Sequence, residues 1–130
     1  MASELDDLQD YLQRCPEIKQ AIVFGSLAKG QARFDSDVDL AIEMDHPMSV
    51  AEKAEWIAKI AQTTQRAVDL IDLFRVGQPL FLQIIQHGKR LKGSDAMYGR
   101  LLSRCVMDYT DFMPYRQRIL DTRRHAWIGS

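Results

Sequence analysis

The sequence predicts an α/β domain: a small mixed β-sheet with packed helices and a C-terminal helical segment. Three observations carry that expectation. Apolar, β-branched runs bounded by turn residues occupy 18–24, 37–44 and 67–74. The link between the first two is too short and too glycine-interrupted for a long helix, which makes those strands antiparallel neighbours. Between the second and third, residues 49–65 carry helical periodicity, and a strand–helix–strand crossover leaves its two strands parallel.

In chain order, Ser3 can cap a first helix with Leu5, Leu8 and Leu12 at helical spacing, ending near Cys15-Pro16. "IKQAIVF" is a strand running into the turn Gly25-Ser26, and "DVDLAIEM" is a second strand closed by Asp45-His46-Pro47. Ser49 and Glu52 form a capping box for the next helix, whose expected inner face is Val50, Ala54, Ile57, Ala58 and Ala61. "AVDLIDLF" is the third strand. "QPLFLQIIQHG" reads as a helix with Pro79 at its start and Gly88 as its stop. "KRLKGS" reads as a link, after which Ser94 opens a helical tail expected to kink or break at Pro114. All 130 residues fit one domain, with a core over about 18–92 and the helical segment over about 95–126.

Composition narrows the function. The net charge of −1 argues against a general nucleic-acid binder, so no direct nucleic-acid contact is expected. Charge is nevertheless uneven: residues 1–88 hold 8 basic and 14 acidic side chains, and 89–130 hold 9 basic and 4 acidic. The tail arginines 100, 104, 116, 118, 123 and 124 are either a solvated helix face or a docking surface. The acidic, amphipathic start and the lack of a long apolar run predict a soluble, cytoplasmic protein with no membrane partner. Cys15 and Cys105 lack metal-ligand spacing and read as reduced, partly buried thiols. Trp56, Trp127 and the stripe Met97, Leu101, Cys105, Tyr109 and Phe112 read as core or partner interface rather than a base-stacking platform.

The chemistry concentrates in "GSLAKGQARFDSDVDL". Residues two apart in a strand share a face, so Asp37 and Asp39 project together with Cα atoms about 6.6 Å apart. Two converging carboxylates repel unless a cation lies between them, and Mg²⁺ takes one or two carboxylates plus substrate phosphates. Gly25-Ser26, where a strand turns, lets a phosphate approach the backbone, with Lys29 adding positive charge. The antiparallel pairing brings these phosphate donors and the carboxylates to one end of the sheet. Gly25 and Gly30 have the glycine spacing of a P-loop, but Gln31-Ala32 stands where Lys-Ser/Thr is required. A calcium loop from Asp35 fails as well, with Leu40 in place of glycine and His46 in place of the bidentate glutamate. On the third strand Asp69 lies at the same sheet end as the pair, whereas Asp72 falls about 10 Å further along and points the other way. Asp72 therefore reads as a capping or salt-bridged residue.

Gly25-Ser26, ten intervening residues, Asp37-Val38-Asp39, a helix and then "VDLIDL" resemble the polymerase-β-type minimal nucleotidyltransferases, including the antitoxins paired with HEPN-domain RNase toxins. The resemblance covers residues 18 to about 92 and implies a nucleotidyltransferase fold. It implies that Gly25 and Ser26, with Lys29 and Ser36, hold the nucleotide phosphates. It also implies that Asp37, Asp39 and Asp69 serve two Mg²⁺ ions and that Asp69 helps deprotonate the acceptor. Lys29 stands where many members have arginine. The expected activity is Mg²⁺-dependent transfer of AMP from ATP to a tyrosine hydroxyl of a HEPN toxin, in a hetero-oligomer. The alternatives are a catalytically silent antitoxin that acts by binding alone, or an adenylyltransferase acting on a small molecule or RNA. Arg118 and His125 have the RX6H spacing of HEPN nucleases, which is read as coincidence because the chain already holds a sheet.

Overall fold

A computed structural model describes residues 4–33 and 35–128, with side chains as far as Leu120 apart from Tyr115. The Ser3 cap and the side chains of Arg123, Arg124, His125 and Trp127 lie outside the described residues. The order is α1 (Glu4–Gln13), β1 (Gln20–Phe24), α2 (Gly25–Ala28), β2 (Val38–Glu43), α3 (Val50–Thr64), β3 (Val68–Asp72), α4 (Leu80–His87), β4 (Lys89–Lys92) and α5 (Asp95–Ile128). The strands form one mixed sheet in the order β3-β2-β1-β4. β1 is antiparallel to β2 and to β4, and β2 is parallel to β3, as a helical crossover requires.

Strand alternation divides the core between the two sheet faces. Val23 and Leu40 pack with Leu8, Leu12, Trp56 and Ile60 under α1 and α3, while Ile22 and Ala41 pack with Phe81, Ile84, Leu101 and Cys105 under α4 and α5. Both cysteines are free and buried. Among the described residues no helix is long and apolar enough to cross a membrane.

Three expectations change. "KRLK" is strand β4 rather than a link. It is a short edge strand in which Leu91 alone is buried, and its charged side chains hide the apolar signal while blunting the edge against further pairing. Lys92 donates to the Leu12 and Cys15 carbonyls, tying this edge to the end of α1. The α3 inner face is rotated from the expected one: Trp56 and Ile60 are buried, Ile57 and Ala61 are half-buried, and Val50 is 88% exposed. The indole is the largest apolar group on the helix, and burying it with Ile60 one turn later sets the rotation. Finally, α5 runs on through Pro114 without a break. Proline removes one ladder bond there, and the turns on either side carry the helix across.

Within α5, Leu101 and Cys105 are core, Met97 and Phe112 are half-buried, and Tyr109 is 38% exposed. Arg104 is no free docking charge. It donates to the Leu73 carbonyl and lies 4.9 Å from the centre of the Phe81 ring.

Candidate active site

β1 ends at Phe24, which is paired with Asp39 on β2, and Asp39 is paired in turn with Asp69 on β3. The register thus places the end of β1, the second residue of β2 and the second residue of β3 in one row across the sheet, on the α4/α5 face. Asp37 stands just before β2, two residues from Asp39. Asp39 is half-buried, whereas Asp37 and Asp69 are exposed. Burial raises the Asp39 carboxyl above its ordinary value, and the facing carboxylates of Asp69 and then Asp37 add to the rise. The three acids are thus near enough for the other two to disfavour ionisation of Asp39.

Gly25 follows Phe24 with φ +71°, a conformation that favours glycine. A Cβ built on it would overlap Oδ2 of Asp39 and lie 3.1 Å from Cγ. The turn backbone therefore presses directly on the carboxylate, which only glycine permits. Ser26 is half-buried at this turn, and its carbonyl accepts from Gln31 N–H at 2.9 Å. Lys29 caps the C-terminus of α2 and is exposed. A cavity of about 360 Å³ opens beside the turn, lined by Phe24, Gly25, Lys29, Gln83 and His87. Sequence reasoning passed over Gln83 and His87. Their spacing of four residues puts them on one face of α4, but only the tertiary packing aims that face at Gly25.

Ser36 is drawn into a turn: its hydroxyl oxygen accepts from Arg33 N–H at 2.7 Å, and its own N–H donates to the Arg33 carbonyl at 3.1 Å. Arg66, also missed, secures that turn. Its Nη1 donates to the Arg33 carbonyl at 2.6 Å and to the Ser36 carbonyl at 2.7 Å. Asp72 lies away from the row, buried, accepting from Met48 N–H and Phe74 N–H at 2.9 Å each. It braces the β3 exit and the approach to α3.

Among the described residues no three imidazole, thiol or carboxylate groups close on a common point as a preformed metal cage. Mg²⁺ does not require one, since it keeps waters and completes its shell with substrate phosphate oxygens. Asp39 on β2 and Asp37 just before it, hard oxygen donors two residues apart beside a glycine turn, fit that mode of binding.

Residues 6–97 match the family described as polymerase beta, nucleotidyltransferase. The chain belongs to that family. Like other members of the polymerase β family, it is a nucleotidyltransferase. It is 26% identical over 106 residues to the protein adenylyltransferase MntA of Shewanella oneidensis, spanning 82% of this chain and 76% of that one. A toxin–antitoxin structure with AMP-PNP contains a chain that superposes with a TM-score of 0.77 at 24% identity, covering 93% of this chain and 96% of the other. A structure of tri-AMPylated Shewanella oneidensis HEPN toxin with MNT antitoxin gives 0.76 at 21% identity, covering 94% and 99%. These likenesses establish a shared fold over nearly the whole length, including the long C-terminal helix.

Proposed function

We propose that this chain is an antitoxin that transfers AMP from ATP to a tyrosine hydroxyl of a HEPN RNase toxin, in a Mg²⁺-dependent reaction that silences the toxin. The observation that carries the reading is the row Gly25, Asp39, Asp69: a turn open to phosphate, a metal-type carboxylate and an exposed third carboxylate in consecutive strands. Kinship with a protein adenylyltransferase supports adenylyl transfer to protein, and the fold shared with antitoxins in toxin complexes supports the partner.

Gly25 and Ser26 offer backbone and hydroxyl donors to the phosphates, with Lys29 beside them. Asp37 and Asp39 would hold Mg²⁺, which when bound neutralises phosphate charge and aligns the reacting groups. Asp69 accepts the proton of the acceptor hydroxyl as its oxygen bonds to the α-phosphorus. The bond from that phosphorus to the β-phosphate oxygen breaks, and pyrophosphate leaves with the electron pair. Alignment and charge compensation supply most of the acceleration.

The test is co-expression with the product of the neighbouring gene and measurement of that partner's intact mass. One or more AMP increments on tyrosine, absent with Asp39→Ala, is the expected result. An unmodified partner, with AMP found instead on tRNA or a small molecule, would overturn the proposal.

A further inference from the structure

The two edges of the sheet are unlike. At one end of the order β3-β2-β1-β4 lies β4, where Lys89, Arg90 and Lys92 blunt the edge. At the other lies β3, which among the described strands pairs with β2 alone. It contains no lysine, arginine or proline to obstruct a further strand. The bonds that flank it fix which way its backbone faces. The Ala67 carbonyl accepts from Val38 N–H at 2.8 Å, and Leu73 N–H donates to the Ile42 carbonyl at 2.9 Å. A parallel strand turns alternate residues to alternate neighbours, so Asp69 and Ile71 bond to β2 while the N–H and C=O of Val68 and Leu70 face the outer side.

At the C-terminal end of this edge a cavity of about 240 Å³ opens, with Met48, Lys53, Ile71, Arg75, Val76 and Leu80 in its lining. Lys53 belongs to α3 and Leu80 to α4, helices packed on opposite faces of the sheet, so the cavity sits at the edge itself rather than under either layer. Its floor is aliphatic and its rim positive. Lys53 and Arg75 are exposed there, whereas the Asp72 carboxylate is taken up by Met48 N–H and Phe74 N–H. Asp69 and Ile71 share one face of β3 with their Cα atoms about 6.6 Å apart. The exposed carboxylate and the aliphatic cavity therefore stand in line along one open edge.

We propose that β3 accepts an added strand: an extended segment of the acceptor protein that hydrogen-bonds to Val68 and Leu70, lays its tyrosine over Asp69 and seats an aliphatic side chain, two residues from the tyrosine, in the cavity beside Ile71. In this mode backbone pairing supplies affinity and alternate side chains supply specificity. Lys53 and Arg75 favour an acidic residue next to the aliphatic one, since complementary charge fixes register. The inference rests on the proposed role of Asp69 at the acceptor hydroxyl, and it specifies how a protein segment reaches that carboxylate.

The experiment follows amide hydrogen exchange by NMR in the full chain with Mg²⁺ and α,β-methylene ATP, alone and with a short synthetic peptide in which leucine, beside a glutamate, follows tyrosine by two residues. In the free chain Val68 and Leu70 N–H are expected to exchange fast, and Asp69 and Ile71 N–H slowly, because only the latter are bonded to β2. The peptide slows Val68 and Leu70 about tenfold, the effect of closing those amides into a ladder. Phenylalanine in place of the peptide's tyrosine keeps the effect, and serine in place of its leucine removes it. Lys53→Glu weakens the peptide about fivefold, the scale of an exposed charge pair. Val68 and Leu70 exchanging at the free rate in a large excess of peptide, or slowing equally with the serine peptide, would overturn the assignment. Slowing that grows with protein concentration in the absence of peptide would overturn it too, since it marks edge-to-edge pairing of two copies of this chain. Slowed exchange with no transfer of labelled AMP from ATP to the peptide's tyrosine would instead refute the proposed acceptor and leave the docking edge standing; transfer without slowing would do the reverse.

Discussion

Arg66 and Glu4 form a two-pronged ion pair, Nε to Oε2 at 2.6 Å and Nη2 to Oε1 at 2.9 Å, between the residue two before β3 and the first turn of α1. The same guanidinium holds the carbonyls of Arg33 and Ser36 through Nη1. One side chain therefore fixes the loop that delivers Asp37 to the sheet. We expect Arg66→Ala to lower AMP transfer about 10–100-fold, as loss of a positioning group typically does, while the melting profile stays cooperative. Arg66→Lys should recover little, because an ammonium lacks the planar fork. Transfer at the wild-type rate in both variants would count against the role.

Gly25→Ala puts a methyl group into the Asp39 carboxylate at a residue with φ +71°. Backbone strain of this kind costs about 1–3 kcal/mol, measurable as a lower urea midpoint. Activity should fall further than stability accounts for, because the methyl displaces Asp39 itself. A variant that is active at full rate once folded would show that the close approach of turn and carboxylate has no part in the chemistry.

How much of this was legible in the sequence follows from the range of each signal. β1, β2, β3 and the α3 capping box rest on period-two patterns and short-range cap chemistry, and all are present, with Ser49 Oγ accepting from Glu52 N–H at 3.1 Å. The choice between Asp69 and Asp72 as the neighbour of Asp39 required only strand direction and register. β4 was hidden because a charged edge strand has no alternation to read, and its partner β1 lies far away in the sequence, with the whole of β2, α3, β3 and α4 between them. Arg66 was invisible for a different reason: its partners lie 30, 33 and 62 residues away. Nothing local distinguishes it from a solvated arginine.

His46 links the β2 exit to the start of α3, with Nε2 2.7 Å from Glu52 Oε2 and Nδ1 2.5 Å from Asp45 Oδ1. The bond to Glu52, then that to Asp45, raises the imidazole above its ordinary value of 6.5. A raised folded value means that folding favours the protonated form. The stabilisation is full below that ordinary value and fades as pH rises through the folded one. The melting temperature of wild type minus that of His46→Gln should therefore shrink from pH 6 to pH 9, and an NMR titration should place His46 above a free imidazole. A difference that grows with pH would reverse the sign of the argument.

Asp39 poses the converse problem, a carboxylate that the fold holds at a cost. Burial raises its carboxyl first, and repulsion from Asp69 and then Asp37 adds to the rise. Its contribution is stabilising at acid pH, below the ordinary carboxylate value, and is lost as pH rises through the raised folded value, so at neutral pH the ionised group opposes folding. Asp39→Asn removes that charge while keeping the size of the side chain. We expect the metal-free variant to melt above the wild type at pH 7.5, and the gap to narrow towards pH 4 as the wild-type carboxyl takes up its proton. Added Mg²⁺ with α,β-methylene ATP should reverse the order, because only the wild type gains the bound state. Transfer by the variant should fall about 10²–10³-fold, the scale of losing one preorganised charge at a reacting centre. Differential scanning fluorimetry at several pH values, with and without Mg²⁺ and nucleotide, reads the first three expectations, and labelled AMP incorporation reads the last. A variant less stable than wild type without metal would mean that the carboxylates are already compensated within the fold, and the case for a cation among them would fail.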